Sequence, residues 1–146
     1  MIEYTVFVHD DGTKYWYDVD GLRHRLDGPA MEYADGSKCW YYKDKLHRLD
    51  GPAVEHPSGT KRWYVDGLRH RLGGPAVEYG DGDKYWYYKD KLHRLDGPAV
   101  EYKNGSKVWY LNNRCLSEAE WRAKTQPSCE GRVVLIDGKR YKLTEV

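Results

Sequence analysis

The chain is short of phenylalanine, of cysteine and of long apolar runs. Phe occurs once against fourteen Tyr and six Trp, so apolar contacts must come from amphipathic aromatics that bury a ring and keep a polar handle. Three cysteines, Cys39, Cys115 and Cys129, have no metal-like spacing, and an odd number closes no disulfide framework. They read as reduced thiols of a reducing compartment. No stretch approaches the roughly 20 apolar residues of a membrane span. The opening MIEYTVFVHDDG has neither a basic n-region nor a long apolar core, so no secretory signal is read and a soluble, cytoplasmic protein is expected. An excess of either charge is also missing: 24 Lys and Arg stand against 23 Asp and Glu. That balance disfavours a binder of nucleic-acid backbones. At 146 residues the chain has the size of one domain.

What the sequence does have is a repeat. RHRLDGPAMEY (23–33), LHRLDGPAVEH (46–56), RHRLGGPAVEY (69–79) and LHRLDGPAVEY (92–102) are four versions of one string. Trp16, Trp40, Trp63, Trp86 and Trp109 are separated by 24, 23, 23 and 23 residues, and His24, His47, His70 and His93 each by 23. Self-similarity at such a period marks a repeat architecture. The one extra residue falls between Trp16 and His24, where YDVDG stands for the later YVDG, and a hairpin loop absorbs an insertion most easily.

Within a unit, GPAVEY reads as a strand, x-D-G-x-K as a turn, K-x-W-Y-x as a second strand, and D-G-L or D-K-L as a second turn. Pro29, Pro52, Pro75 and Pro98 stand at strand starts, where a missing N–H is tolerated. Taking Asp81-Gly82 as a two-residue type I′ turn pairs Glu78 with Tyr85 and Val77 with Trp86. Alternation then predicts a Val–Trp face and a Tyr–Glu face. Trp63 and Trp86 are expected to be much more buried than Tyr64 and Tyr87.

The motifs W-Y-x-x-D/N-G and H-R-x-D-G-P-A, over about residues 5–113, resemble the MORN repeat and more closely the MORN-variant β-hairpin repeats of bacterial and phage proteins. The resemblance implies an all-β fold: an elongated antiparallel β-meander of stacked hairpins of about 23 residues. It also implies a phage, prophage or bacterial accessory protein acting inside a bacterial or phage-infected cell. The better-known MORN pattern has Tyr-x-Gly and His-Gly pairs where this chain has His-Arg and Gly-Pro-Ala, so MORN membrane roles are not carried over and no membrane partner is expected.

The array is read as residues 1–113, with TVFV as an N-terminal capping strand, and the cap as 114–146. In the cap, SEAE (117–120) is a capping box for a short helix over 118–125. Pro127 stops that helix, and a hairpin over 132–146 turns at Asp137-Gly138. An atypical last unit is how a repeat sheet hides its open end.

His, Arg and Asp in close order could act as base, anion clamp and orienting carboxylate, and histidines in register could bind metal. Equivalent histidines one hairpin apart lie on the order of 10 Å from each other, too far to share an ion. The same side chains in four units behave as a structural rung: His24, Arg25 and Asp27; His47, Arg48 and Asp50; His70 and Arg71; His93, Arg94 and Asp96. No catalytic residue, metal or cofactor is expected. The Lys ladder (Lys14, Lys38, Lys61, Lys84, Lys107) is offset by Glu32, Glu55, Glu78 and Glu101, as on a solvated, self-neutralising face.

Tyr17, Tyr41, Tyr64, Tyr87 and Tyr110, with Glu55 and Glu78, are then the candidate partner-binding surface, since Tyr is enriched at protein interfaces. The expected function is a non-enzymatic repeat protein that binds another protein and, by the resemblance, antagonises a host defence or toxin component. The alternative is a β-hairpin solenoid for a carbohydrate or choline-type ligand, because W-Y-Y (40–42 and 86–88) looks like the W-Y-Y of choline- and glucan-binding repeats.

Overall fold

The computed structural model describes residues 2–126, 133–142 and 144. The strands, in chain order, are β1 (Thr5–Val8), β2 (Lys14–Tyr17), β3 (Met31–Glu32), β4 (Lys38–Cys39), β5 (Tyr41–Tyr42) and β6 (Lys45–Leu46). The next two units repeat this order as β7 (Val54–Glu55), β8 (Lys61–Arg62), β9 (Tyr64–Val65), β10 (Leu68–Arg69), β11 (Val77–Glu78), β12 (Lys84–Tyr85), β13 (Tyr87–Tyr88) and β14 (Lys91–Leu92). Then follow β15 (Val100–Glu101), β16 (Lys107–Leu111), β17 (Arg114–Leu116), α1 (Glu118–Thr125), β18 (Val133–Ile136) and β19 (Lys139–Lys142).

Among the described residues, eleven strands join one open sheet in the order β1-β2-β3-β4-β7-β8-β11-β12-β15-β16-β17. Each unit adds two strands, then a short second hairpin: β5–β6, β9–β10 or β13–β14. The long antiparallel meander of hairpins, with a short helix and a terminal hairpin, is the architecture expected from the hairpin repeats, the SEAE box and the Asp137-Gly138 turn.

The chain changes partner at each Trp. The Trp40 N–H donates to the Ala53 carbonyl at 2.8 Å, while the Trp40 carbonyl accepts the His47 N–H at 3.0 Å. The second hairpin thereby folds off the main sheet.

The register differs from the one read from sequence, and with it the faces. Val77 pairs with Tyr85, and Glu78 with Lys84. The Gly82 N–H donates to the Tyr79 carbonyl and the Tyr79 N–H to the Asp83 carbonyl. The loop is therefore three residues, Gly80-Asp81-Gly82, with Gly82 at φ 111°, a type I turn closed by a bulge glycine. One residue of slip exchanges the faces of a strand. Val shares its side with the Tyr that follows each Trp, and Glu shares its side with Trp. Trp63, Trp86, Tyr64 and Tyr87 are all half-buried, so the predicted contrast between Trp and Tyr is not found.

Type I′ turns close the second hairpins instead. Lys43 and Asp44 have φ of 47° and 64°, Asp66 and Gly67 50° and 80°, and Asn112 and Asn113 49° and 67°. Unit one, with its extra residue, replaces this by a three-residue loop in which the Gly21 N–H bonds the Asp18 carbonyl. The predicted insertion site is therefore where the backbone departs.

The core is one residue deep. Ala30, Ala53, Ala76 and Ala99 are 0 % exposed, followed in chain order by buried Met31, Val54, Val77 and Val100. Tyr15, Tyr41, Leu46 and Tyr64 pack against the buried trio Met31, Cys39 and Val54. At the far end, Ser117 and Glu120 form the predicted capping box of α1. Trp121 is buried, and its indole N–H donates to the Arg94 carbonyl at 2.9 Å. The terminal hairpin turns at Asp137-Gly138, pairing Ile136 with Lys139. Pro127 and Cys129, and the outer ends of the predicted 132–146 hairpin, lie outside the described residues.

Candidate functional site: the HRLDGP edge

The His-Arg-Leu-Asp-Gly-Pro string forms a loop between the second hairpin of one unit and the first strand of the next, and its residues have separate tasks. Nδ1 of His24, His70 and His93 accepts the backbone N–H of Lys43, Lys89 and Asn112, at 3.3, 3.2 and 3.1 Å, and Nδ1 of His47 lies 3.1 Å from both the backbone N–H, a donor, and Oδ1, an acceptor, of Asp66. Each donor is the first residue of the type I′ turn in the following unit, so each His clips its unit to the next. At His70 and His93 the proton of the neutral ring then sits on Nε2.

Arg clamps its own loop. Arg48 Nε donates to Asp50 Oδ1 at 2.7 Å, and its Nη1 to the Pro52 carbonyl at 3.2 Å and to Glu55 Oε1 at 3.1 Å. The guanidinium lies 4.0 Å from the centre of the Trp40 ring. Arg25 on Trp16 and Arg94 on Trp86 repeat the arrangement. In unit three Arg71 stacks on Trp63 and pairs with Glu78, with Gly73 in place of the aspartate. The bonds from Arg25 and Arg48 hold the carboxyls of Asp27 and Asp50 below the ordinary carboxylate value. The following glycine makes room for the clamp, since a Cβ on Gly51 would lie 2.9 Å from Arg48 Cζ.

One residue of the string has no such task. Leu26, Leu49, Leu72 and Leu95 are 60, 81, 73 and 63 % exposed. They stand in register along one edge of the array, as rims of three successive clefts. The first, about 590 Å³, lies between Leu26 and Leu49 and is lined by Trp40, Tyr42 and His47. The second, about 320 Å³, lies between Leu49 and Leu72, with Trp63, Val65 and His70. The third, about 400 Å³, lies between Leu72 and Leu95, with Trp86, Tyr88 and His93. Tyr42 sits between His24 and His47 with ring centroids at 4.7 and 5.9 Å, and Tyr88 between His70 and His93 at 4.8 and 6.0 Å.

The structure does not bring the residues of the predicted binding surface onto one face. Tyr41 and Tyr64 pack against the core, and Tyr41 and Tyr87 are covered by Arg23 and Arg69 at 4.2 and 4.0 Å. Tyr17 and Tyr110 are half-buried in the same row. Glu55 and Glu78 lie on the opposite side, held by Arg48 and Arg71. The leucine row escaped the sequence reading because a Leu inside a repeated motif reads as core. Its only signal was that Leu persists through all four strings while the neighbouring Asp does not. Among the described residues, no three His, Cys, Asp or Glu side chains gather as a metal site, and no helix is long and apolar enough to cross a membrane. No protein-family model matches the chain, and no curated protein matches it.

Proposed function

We propose that this is a non-enzymatic repeat protein that binds another protein along the HRLDGP edge. The observation that carries the reading is the row Leu26, Leu49, Leu72 and Leu95, large apolar side chains left in water at the rims of aromatic clefts. Contiguous exposed apolar surface rimmed by polar groups is how interaction sites differ from ordinary surface. The His and Arg of each string are used in bonds within the chain, which supports a scaffold role over catalysis. The resemblance to MORN-variant repeats extends the proposal to a phage or prophage accessory factor directed against a host defence or toxin component. Choline-type recognition is disfavoured, because the chain's own guanidinium groups lie 3.9–4.3 Å from the Trp ring centres and would repel a second cation there.

The test compares proteins crosslinked in cells through a photoreactive residue at position 49 or 72 with those crosslinked from position 103, on the hairpin turns. The capture is repeated with untagged wild type or Leu49→Ser/Leu72→Ser chain as competitor. A partner crosslinked only from the leucine edge, and displaced by wild type but not by the double variant, supports the reading. Equal crosslinking from both positions, or equal competition by both chains, overturns it.

A further inference from the structure

We infer that the edge clefts take an extended proline-rich segment in the polyproline II conformation, with one apolar side chain entering each cleft; this rests on the protein-binding reading above. The argument begins with spacing. Successive units are two strands apart in the sheet, so equivalent clefts recur at about 9.4–9.8 Å. A ligand that uses them in turn must present equivalent side chains on one face at that interval.

Three backbone conformations can be compared with it. An extended strand advances about 3.4 Å per residue but alternates faces, so same-side residues fall at about 6.8 or 13.6 Å and miss the interval. An α-helix returns to the same face only after seven residues, about 10.5 Å, which overshoots the interval. Polyproline II has three residues per turn and a rise of about 3.1 Å, hence one equivalent side chain every 9.3 Å or so. Across three clefts the polyproline II offset stays below about 1 Å, whereas the helix drifts by about twice that.

The lining agrees with the spacing. Polyproline II segments are recognised by aromatic-lined grooves, and their preformed backbone loses little entropy on binding. Here the lining is Trp40 with Tyr42, Trp63 with Val65, and Trp86 with Tyr88. A polyproline II backbone makes no internal hydrogen bonds and leaves its carbonyls as acceptors. His70 and His93 line two of the clefts with Nδ1 already taken by the next unit, which leaves Nε2–H as a donor. The charges nearby are paired within the chain, Arg48 with Asp50 and Arg94 with Asp96, so the preferred segment is uncharged.

The probes are three synthetic peptides titrated into the full chain by calorimetry and ¹⁵N NMR. One is (Pro-Pro-Leu)₄. The second has the same composition, with leucines at alternating intervals of two and four. The third is an amphipathic helix with leucine every seventh residue. We expect (Pro-Pro-Leu)₄ to shift the indole signals, and the respaced isomer to bind at least about tenfold more weakly. Leu49→Ser/Leu72→Ser should reduce affinity for (Pro-Pro-Leu)₄ by a similar factor while the melting temperature stays unchanged, since both leucines are exposed. No binding of (Pro-Pro-Leu)₄, equal binding of the two proline-rich isomers, or insensitivity to the double substitution overturns the inference. Tighter binding of the helical peptide, lost in the double variant, overturns the polyproline II occupant while leaving the edge as a docking surface. The crosslinking test above judges that surface by itself.

Discussion

His70 accepts the backbone N–H of Lys89 through Nδ1 at 3.2 Å, across nineteen positions and one unit boundary. Lys89 opens a two-residue turn at φ 46°, where the N–H has no ladder partner, so the imidazole takes the place of solvent at that donor. The contact is exposed, and the net worth of such a bond is about 0.5–1.5 kcal/mol. His70→Phe should destabilise the chain by about that amount, and it should speed hydrogen exchange at the Lys89 amide. His70→Asn, whose carbonyl oxygen can take the place of Nδ1, should restore much of both. Equal losses in the two variants would mean that ring packing, not the hydrogen bond, is what counts.

Gly51 and Arg48 should behave as one unit. Arg48→Ala removes the stack on Trp40 and the bonds to Asp50, Pro52 and Glu55, worth about 2 kcal/mol together after solvent competition. Gly51→Ala drives a methyl against the same guanidinium and should cost about 1–2 kcal/mol by displacing it. With Arg48 already absent, the Gly51 change should be nearly free. A double-mutant cycle by urea denaturation measures this, and strict additivity would refute the clamp.

The fold was legible because its signals are local and repeated: a 23-residue period, prolines before strands, and the Ser117–Glu120 box. The register was not, because Asp-Gly is the hallmark of two different turns. In Ala34-Asp35-Gly36 the Asp35 side chain accepts the Ser37 N–H at 2.8 Å, and Gly36 sits at φ 89°, which needs a third loop residue. The two-residue type I′ geometry went to Lys43-Asp44, a pair without glycine that is held by Arg23, whose backbone and side-chain N–H groups both bond Asp44. Charge could have decided the matter. In the observed register Glu32 stands opposite both Lys14 and Lys38, whereas the slipped one sets Lys against Tyr. The leucine row was legible only as a constant position in the string, because its exposure depends on where the loop points after the clamp has closed.

Tyr85 should ionise well above the ordinary phenol value. Burial first, and then the neighbouring Tyr102, push it up to about 12 from 10.0. Folding therefore favours the neutral phenol. Its stabilising share is complete below the unfolded value near 10 and is lost as pH rises through about 12. A spectrophotometric titration of wild type minus Tyr85→Phe should show one ionisation in that high range, with the melting temperature falling as pH climbs above 10. A Tyr85 midpoint near 10 would show that the phenol stays in water.

The two described cysteines separate local from global opening. Cys39 is buried against Met31 and Val54, and burial raises its thiol above the ordinary value; the thiolate is the reactive form. Cys115 is exposed on β17. A maleimide pulse mapped by mass spectrometry should label Cys115 at once and Cys39 only as fast as the first units open. His24 clips unit one to unit two through the Lys43 N–H, and Cys39 lies just inside that joint. His24→Phe should therefore accelerate labelling of Cys39 several-fold and leave Cys115 unchanged, because in a linear array each interface is broken largely on its own. Acceleration at both sites would mean that the array opens as one cooperative body. No acceleration at either would mean that the sheet ladder, and not the imidazole clip, holds neighbouring units together.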